Sequence, residues 1–96
     1  MTTKFSEQQV STALENVPEW GEINGEITRT YQFDNFLEAM AFVQKVATYA
    51  EQAQHHPDIL IRYNKVTLTV STHDAGGITE KDFDLAAAMD GLVPAT

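Results

Sequence analysis

Residues 59–70 read Ile59-Leu60-Ile61-Arg62-Tyr63-Asn64-Lys65-Val66-Thr67-Leu68-Thr69-Val70. Two apolar, β-branched runs flank a short polar pair, the pattern of a β-hairpin. With Asn64-Lys65 as a two-residue turn, Tyr63 faces Val66, Ile61 faces Leu68 and Ile59 faces Val70. All six then lie on one side, so pattern and turn agree on a register. Upstream, Asn24-Gly25 separates Trp20-Gly21-Glu22-Ile23 from the run Glu26 to Phe33. Asn-Gly between β-like runs signals a second hairpin. Ile27, Tyr31 and Phe33 share one parity there, and Arg29 interrupts it.

Helices fill the remaining chain. Ser6 and Gln9 form a capping-box pattern, with Phe5 and Val10 placed as a hydrophobic staple. Val10, Ala13, Leu14 and Val17 make one apolar face, which predicts a helix from about Glu7 to Val17 stopped by Pro18. Asp34 or Asn35 caps a long helix to about Gln54, with Phe36, Met40, Val43, Val46, Ala47 and Ala50 as its buried stripe. Thr79 caps a last helix to about Asp90, with Ile78 and Phe83 as a staple and Gly91 at its end. The order α-β-β-α-β-β-α predicts an α+β fold. A four-stranded antiparallel sheet carries helices on one face, in a single domain over residues 1–96.

Composition bounds the partners. The 96 residues hold fourteen acidic against six basic side chains, a net charge of −8. The basic residues are scattered, which argues against a nucleic-acid backbone as partner. Met1-Thr2-Thr3-Lys4 lacks the apolar stretch of a signal peptide, and no run is long enough to span a bilayer. With no cysteine, the chain fits a reducing compartment. The expectation is a cytoplasmic protein with no membrane partner. A domain this small with one uncovered sheet face is expected to self-associate.

All three histidines fall in two segments, His55-His56-Pro57-Asp58 and Thr72-His73-Asp74-Ala75-Gly76-Gly77. Carried outward, the hairpin register sets His56 opposite His73, at a Cβ separation of about 4.5–5.5 Å. Pro57 cannot donate to a ladder, so pairing can stop short of His56. Histidine exchanges protons near neutral pH, and two across a pocket supply an acid and a base. A three-histidine metal site is the competing reading. Adjacent residues in extended chain point to opposite sides, so His55 and His56 are poorly suited to share an ion. Gly76-Gly77 is either an anion cradle or a turn that needs glycine freedom. Asp82 occupies a first helical turn, where an acid is favoured anyway. Trp20 is either core or a flat wall for a ring.

Together these segments resemble the pterin-4a-carbinolamine dehydratase family. The resemblance runs from Trp20 to about Leu85. It is carried by Phe33-Asp34-Asn35-Phe36, by Glu51-Gln52-Ala53-Gln54-His55-His56-Pro57-Asp58, and by Tyr63-Asn64-Lys65-Val66. Thr72-His73 and Gly76-Gly77-Ile78-Thr79-Glu80-Lys81-Asp82 complete it. The resemblance implies dehydration of 4a-hydroxytetrahydrobiopterin with no metal and no cofactor, in a homodimer or homotetramer. It implies that His55, His56 and His73 line a pterin pocket. Some members also act as dimerisation partners of a transcription factor, and relatives assist rubisco assembly. A non-catalytic module on the same fold is therefore the alternative. Where some members carry an acid before the two histidines, this chain has Gln54. Pro57, Asp58, Thr72, Trp20 and Asp82 complete the candidate site as substrate-binding positions. From the extrapolated register, His56 and His73 are assigned the proton transfers and His55 a binding role.

Overall fold

The computed structural model describes residues 3–93. Its elements run α1 (Glu7–Leu14), β1 (Gly21–Ile23), β2 (Glu26–Gln32), α2 (Phe36–Ala53), β3 (Asp58–Arg62), β4 (Lys65–Val70) and α3 (Glu80–Asp90), with a 3-10 turn at His73–Ala75. The four strands form one antiparallel sheet in the order β1-β2-β4-β3. The helices bring Ala39, Phe42, Val46, Leu85, Ala86 and Met89 onto Ile27, Tyr31, Val66, Leu68 and Val70.

Local signals account for the ends of most elements. Ser6 and Gln9 close the capping box of α1, Asn35 accepts from the Glu38 backbone to open α2, and Thr79 opens α3. Asn24 and Gly25 both take positive φ, 52° and 80°, as a two-residue hairpin turn of this twist requires. Arg29, the interruption in β2, lies with its guanidinium carbon 4.2 Å from the Tyr31 ring centroid. It also pairs with Asp90 at 2.7 Å.

Three expectations are corrected. The first helix ends at Leu14 rather than Val17, because the chain tightens into i→i+3 bonds such as Val17 N–H to the Leu14 carbonyl. That turn carries Val17 and Trp20 into the core. On α2 the buried face is Ala39, Phe42, Val46 and Ala50, while Phe36, Met40 and Ala47 are exposed. Phe42 sets this rotation: its ring lies 4.7 Å from Tyr31 and 5.1 Å from Phe33. Ala39, with no bulk to hold the helix away, is fully buried.

The third correction is the β3–β4 register. The turn is Tyr63-Asn64, so Arg62 pairs with Lys65, Ile61 with Val66 and Ile59 with Leu68. Asn64 fixes it. Its carbonyl accepts from the Phe33 N–H and its side-chain amide donates to the Phe33 carbonyl, both at 2.8 Å. Tyr63 adopts φ 51° to allow this. The pairing moves by two positions, so the strand side chains keep their faces while Tyr63 leaves the ladder for the turn. Val66, Leu68 and Val70 stay buried. The ladder ends at Asp58, after Pro57, and its continuation would set His56 toward Ser71 rather than His73.

Candidate active site

Helix α2 stops where the site begins. Gln54 takes the left-handed conformation (φ 54°) and the His55 N–H returns to the Ala50 carbonyl. Pro57 then keeps His56 extended. This sharp exit aims the two histidines differently.

The His55 ring Nε2 lies 2.6 Å from Oδ1 of Asp82, whose side chain is fully buried. The other carboxylate oxygen accepts from the Thr72 hydroxyl at 2.9 Å and from the Thr79 backbone N–H at 2.8 Å. Thr72 and Thr79 also bond each other at 2.6 Å. Asp82 thus closes the capping box of α3 and holds His55 with the same carboxylate. Its place in the first turn suits the positive end of the helix dipole. His56 Nε2 meets Glu51 Oε1 at 2.8 Å, and both side chains are exposed. The acid beside His56 is therefore Glu51, in the last turn of α2, and not residue 54.

His73 opens the 3-10 turn. The loop that carries it is closed at its root, where the Thr72 N–H donates to the Gly77 carbonyl at 2.8 Å. Gly76 turns it with φ 78°, in the left-handed region open to glycine. Among the described residues the His73 side chain has no hydrogen-bond partner.

All three histidines line one open cleft of about 490 Å³, together with Asp58 and Thr72. Asp82 lies beneath it, and Pro57 sits half-buried between its two neighbours. The structure does not bring Trp20 there. That ring is 4 % exposed in the core, and its Nε1–H donates to Asp90 at 3.0 Å. Sequence reasoning gave no site role to Glu51, Glu26 or Lys81. The spacing from Glu51 to His56 across the end of a helix could have shown the first. Glu26 and Ser71 meet only because β2 and β4 are neighbours, with Ser71 Oγ 3.4 Å from Glu26 Oε2. Only the pairing of strands far apart in the chain brings the two together. Among the described residues no three His, Asp or Glu side chains converge as a metal cluster. No helix among them is long and apolar enough to cross a membrane.

Residues 3–92 match the model of the family described as pterin 4 alpha carbinolamine dehydratase. The chain belongs to this family. A member from Picosynechococcus sp. is 49% identical over 92 residues, covering 96% of this chain and 100% of the relative. Another from Chloroflexus aurantiacus is 53% identical over 90 residues, covering 94% and 97%. The crystal structure of a Brucella melitensis transcriptional coactivator/pterin dehydratase superposes with TM-score 0.91 at 32% identity, over 96% of this chain and all of that one. A pterin dehydratase-like rubisco assembly factor of the alpha-carboxysome shares the fold, with TM-score 0.65 at 20% identity.

Proposed function

We propose that this protein dehydrates 4a-hydroxytetrahydrobiopterin to quinonoid dihydrobiopterin and water, by histidine acid/base catalysis, in support of tetrahydrobiopterin recycling. The observation that carries the reading is the meeting of all three histidines in one cleft of a chain that matches the dehydratase family over most of its length. The reaction removes the N5 proton to a base. The electron pair of that N–H bond becomes the second bond between N5 and C4a. The C4a–O bond breaks, and an acid protonates the departing hydroxide so that water leaves.

Hydrogen-bond occupancy divides the labour. His55 Nε2 is committed to a buried carboxylate, and freeing it would leave a buried charge unpaired. His55 is therefore a fixed binding group. His56 is held only by an exposed partner, which water competes for readily. His73 is free among the described residues. These two exchange protons with the substrate, each worth about 10²–10⁴-fold. The assignment matches the one made from sequence but no longer rests on cross-strand opposition.

The protein is proposed to act in the cytoplasm as a homodimer or homotetramer. Leu60 on the edge strand β3 is 56% exposed and Leu37 on α2 is 79% exposed, surfaces that a second copy would cover. The same α2 surface would serve a non-catalytic dimerisation or assembly module. The three histidines sharing one cleft favour the enzyme, since such a module would not need all of them.

The test is turnover of a 4a-hydroxytetrahydropterin generated in situ and followed by absorbance. A rate proportional to enzyme, well above spontaneous dehydration and unchanged by chelators, is expected. A rate no different from the spontaneous one would overturn the reading.

A further inference from the structure

We infer that the cleft selects reduced pterins whose C6 side chain carries no negative charge. This rests on the dehydratase reading and adds the substrate class. In a pterin, C6 is bonded to N5, and N5 is bonded to the reacting C4a. The side chain therefore leaves the ring beside the bond being formed. Wherever the histidines hold C4a and N5, the side chain lies within a few ångströms of the same walls.

Those walls are acidic. The histidine that acts as the acid adds one positive charge and leaves the lining net negative: around it Glu26 enters from the first residue of β2, Asp58 from the first residue of β3, and Asp74 from the 3-10 turn, against Lys81. Among the described residues none of these four is held in an ion pair. The contact Glu26 makes, with the Ser71 hydroxyl, is to a neutral group and leaves its charge in place. The whole chain carries the same sign at −8. A cleft lined by one sign of charge focuses its field on whatever enters. At 0.1 M salt the screening length is about 10 Å, so a charge brought against these walls is only partly screened from them. The pterin ring itself is neutral. An uncharged dihydroxypropyl side chain enters without penalty, whereas a phosphate ester or a glutamyl conjugate is repelled. This is selection by repulsion rather than by a fitted pocket.

The experiment compares two 4a-hydroxytetrahydropterins that differ only in a phosphate on the side chain. Turnover is measured at low and high salt, alongside equilibrium binding of the two matching 7,8-dihydropterins. The wild-type protein should prefer the neutral compound by about tenfold in kcat/KM and in affinity at low salt. The ratio should fall toward one in high salt, and in the Glu26→Gln, Asp58→Asn, Asp74→Asn variant, with the change in KM. The salt series needs no variant to fold. Equal values at low salt, or a preference that neither salt nor charge removal moves, would overturn the inference. A salt-sensitive preference for binding the neutral dihydropterin over its phosphate, without turnover of either carbinolamine, would uphold charge selection while the dehydratase reading fell. Binding of neither compound would sink both.

Discussion

Helix α3 carries an aspartate at each end, and the two are used differently. Asp82, in the first turn, is fully buried and binds His55, Thr72 and the Thr79 backbone. Asp90, the last residue, keeps 27% of its side chain exposed and gathers Trp20, Arg29 and Tyr31 onto one oxygen, at 3.0, 2.7 and 2.5 Å. The helix dipole favours the first carboxylate and opposes the second. Asp82 therefore needs no cation and can hold a titratable ring. Asp90 needs the Arg29 guanidinium and two aromatic donors, and it joins the helix end to β2 and to the turn after α1. One end of the helix positions a group for chemistry, and the other fastens the fold.

Replacing each carboxylate should expose this contrast. Asp82→Ala leaves a histidine, a hydroxyl and a backbone N–H without their buried acceptor, at about 3–5 kcal/mol of stability. Denaturant melts would show the loss, and any protein that still folds should have a raised KM, as His55→Ala should. Asp90→Ala should cost about 1–2 kcal/mol, since its hydrogen bonds are charge-assisted but partly solvated. Its folded fraction should keep wild-type kcat. A collapse of kcat in folded Asp90→Ala would erase the distinction between the two ends.

A smaller effect sharpens the Asp90 side. Burial, reinforced by the hydrogen bond to Asp90, pushes the Tyr31 phenol well above its ordinary value. As pH rises past about 10, the unfolded chain gives up this proton before the folded one does. The stability Tyr31 contributes is therefore complete below about pH 10 and declines above it. In Tyr31→Phe the fall in melting temperature between pH 9 and 11 should be shallower than in wild type, with about 1 kcal/mol lost at neutral pH. An equally steep fall would assign the alkaline limb to other groups.

What the sequence disclosed follows the range of the interactions. Ser6, Asn35, Thr79 and Asn24-Gly25 act on neighbours within a few residues, and each marks a boundary as read, Asn35 being one of the two caps the sequence offered for α2. The face of α2 and the β3–β4 register were misread because partners distant in the chain decide them. Phe42 settles on Tyr31 and Phe33, and Asn64 is bound to Phe33. The histidines were legible as a group because they fall in two short segments. That His55 reaches Asp82 was not, since 27 residues separate them. Trp20 left two readings open, and its burial in the core, with the bond to Asp90, decides between them.

The central claim is that His56 and His73 move the protons while Asp82 holds His55 still. The most direct test is the catalysed rate of the His56→Ala, His73→Ala double variant beside the two single variants and His55→Ala, each verified as folded. Each of the two singles should lose about 10²-fold or more in kcat, and the double far less than the product of the two losses, as residues acting as a unit do. His55→Ala should act mainly through KM. A double variant with wild-type kcat, or a His55→Ala variant with collapsed kcat and unchanged KM, would contradict the account.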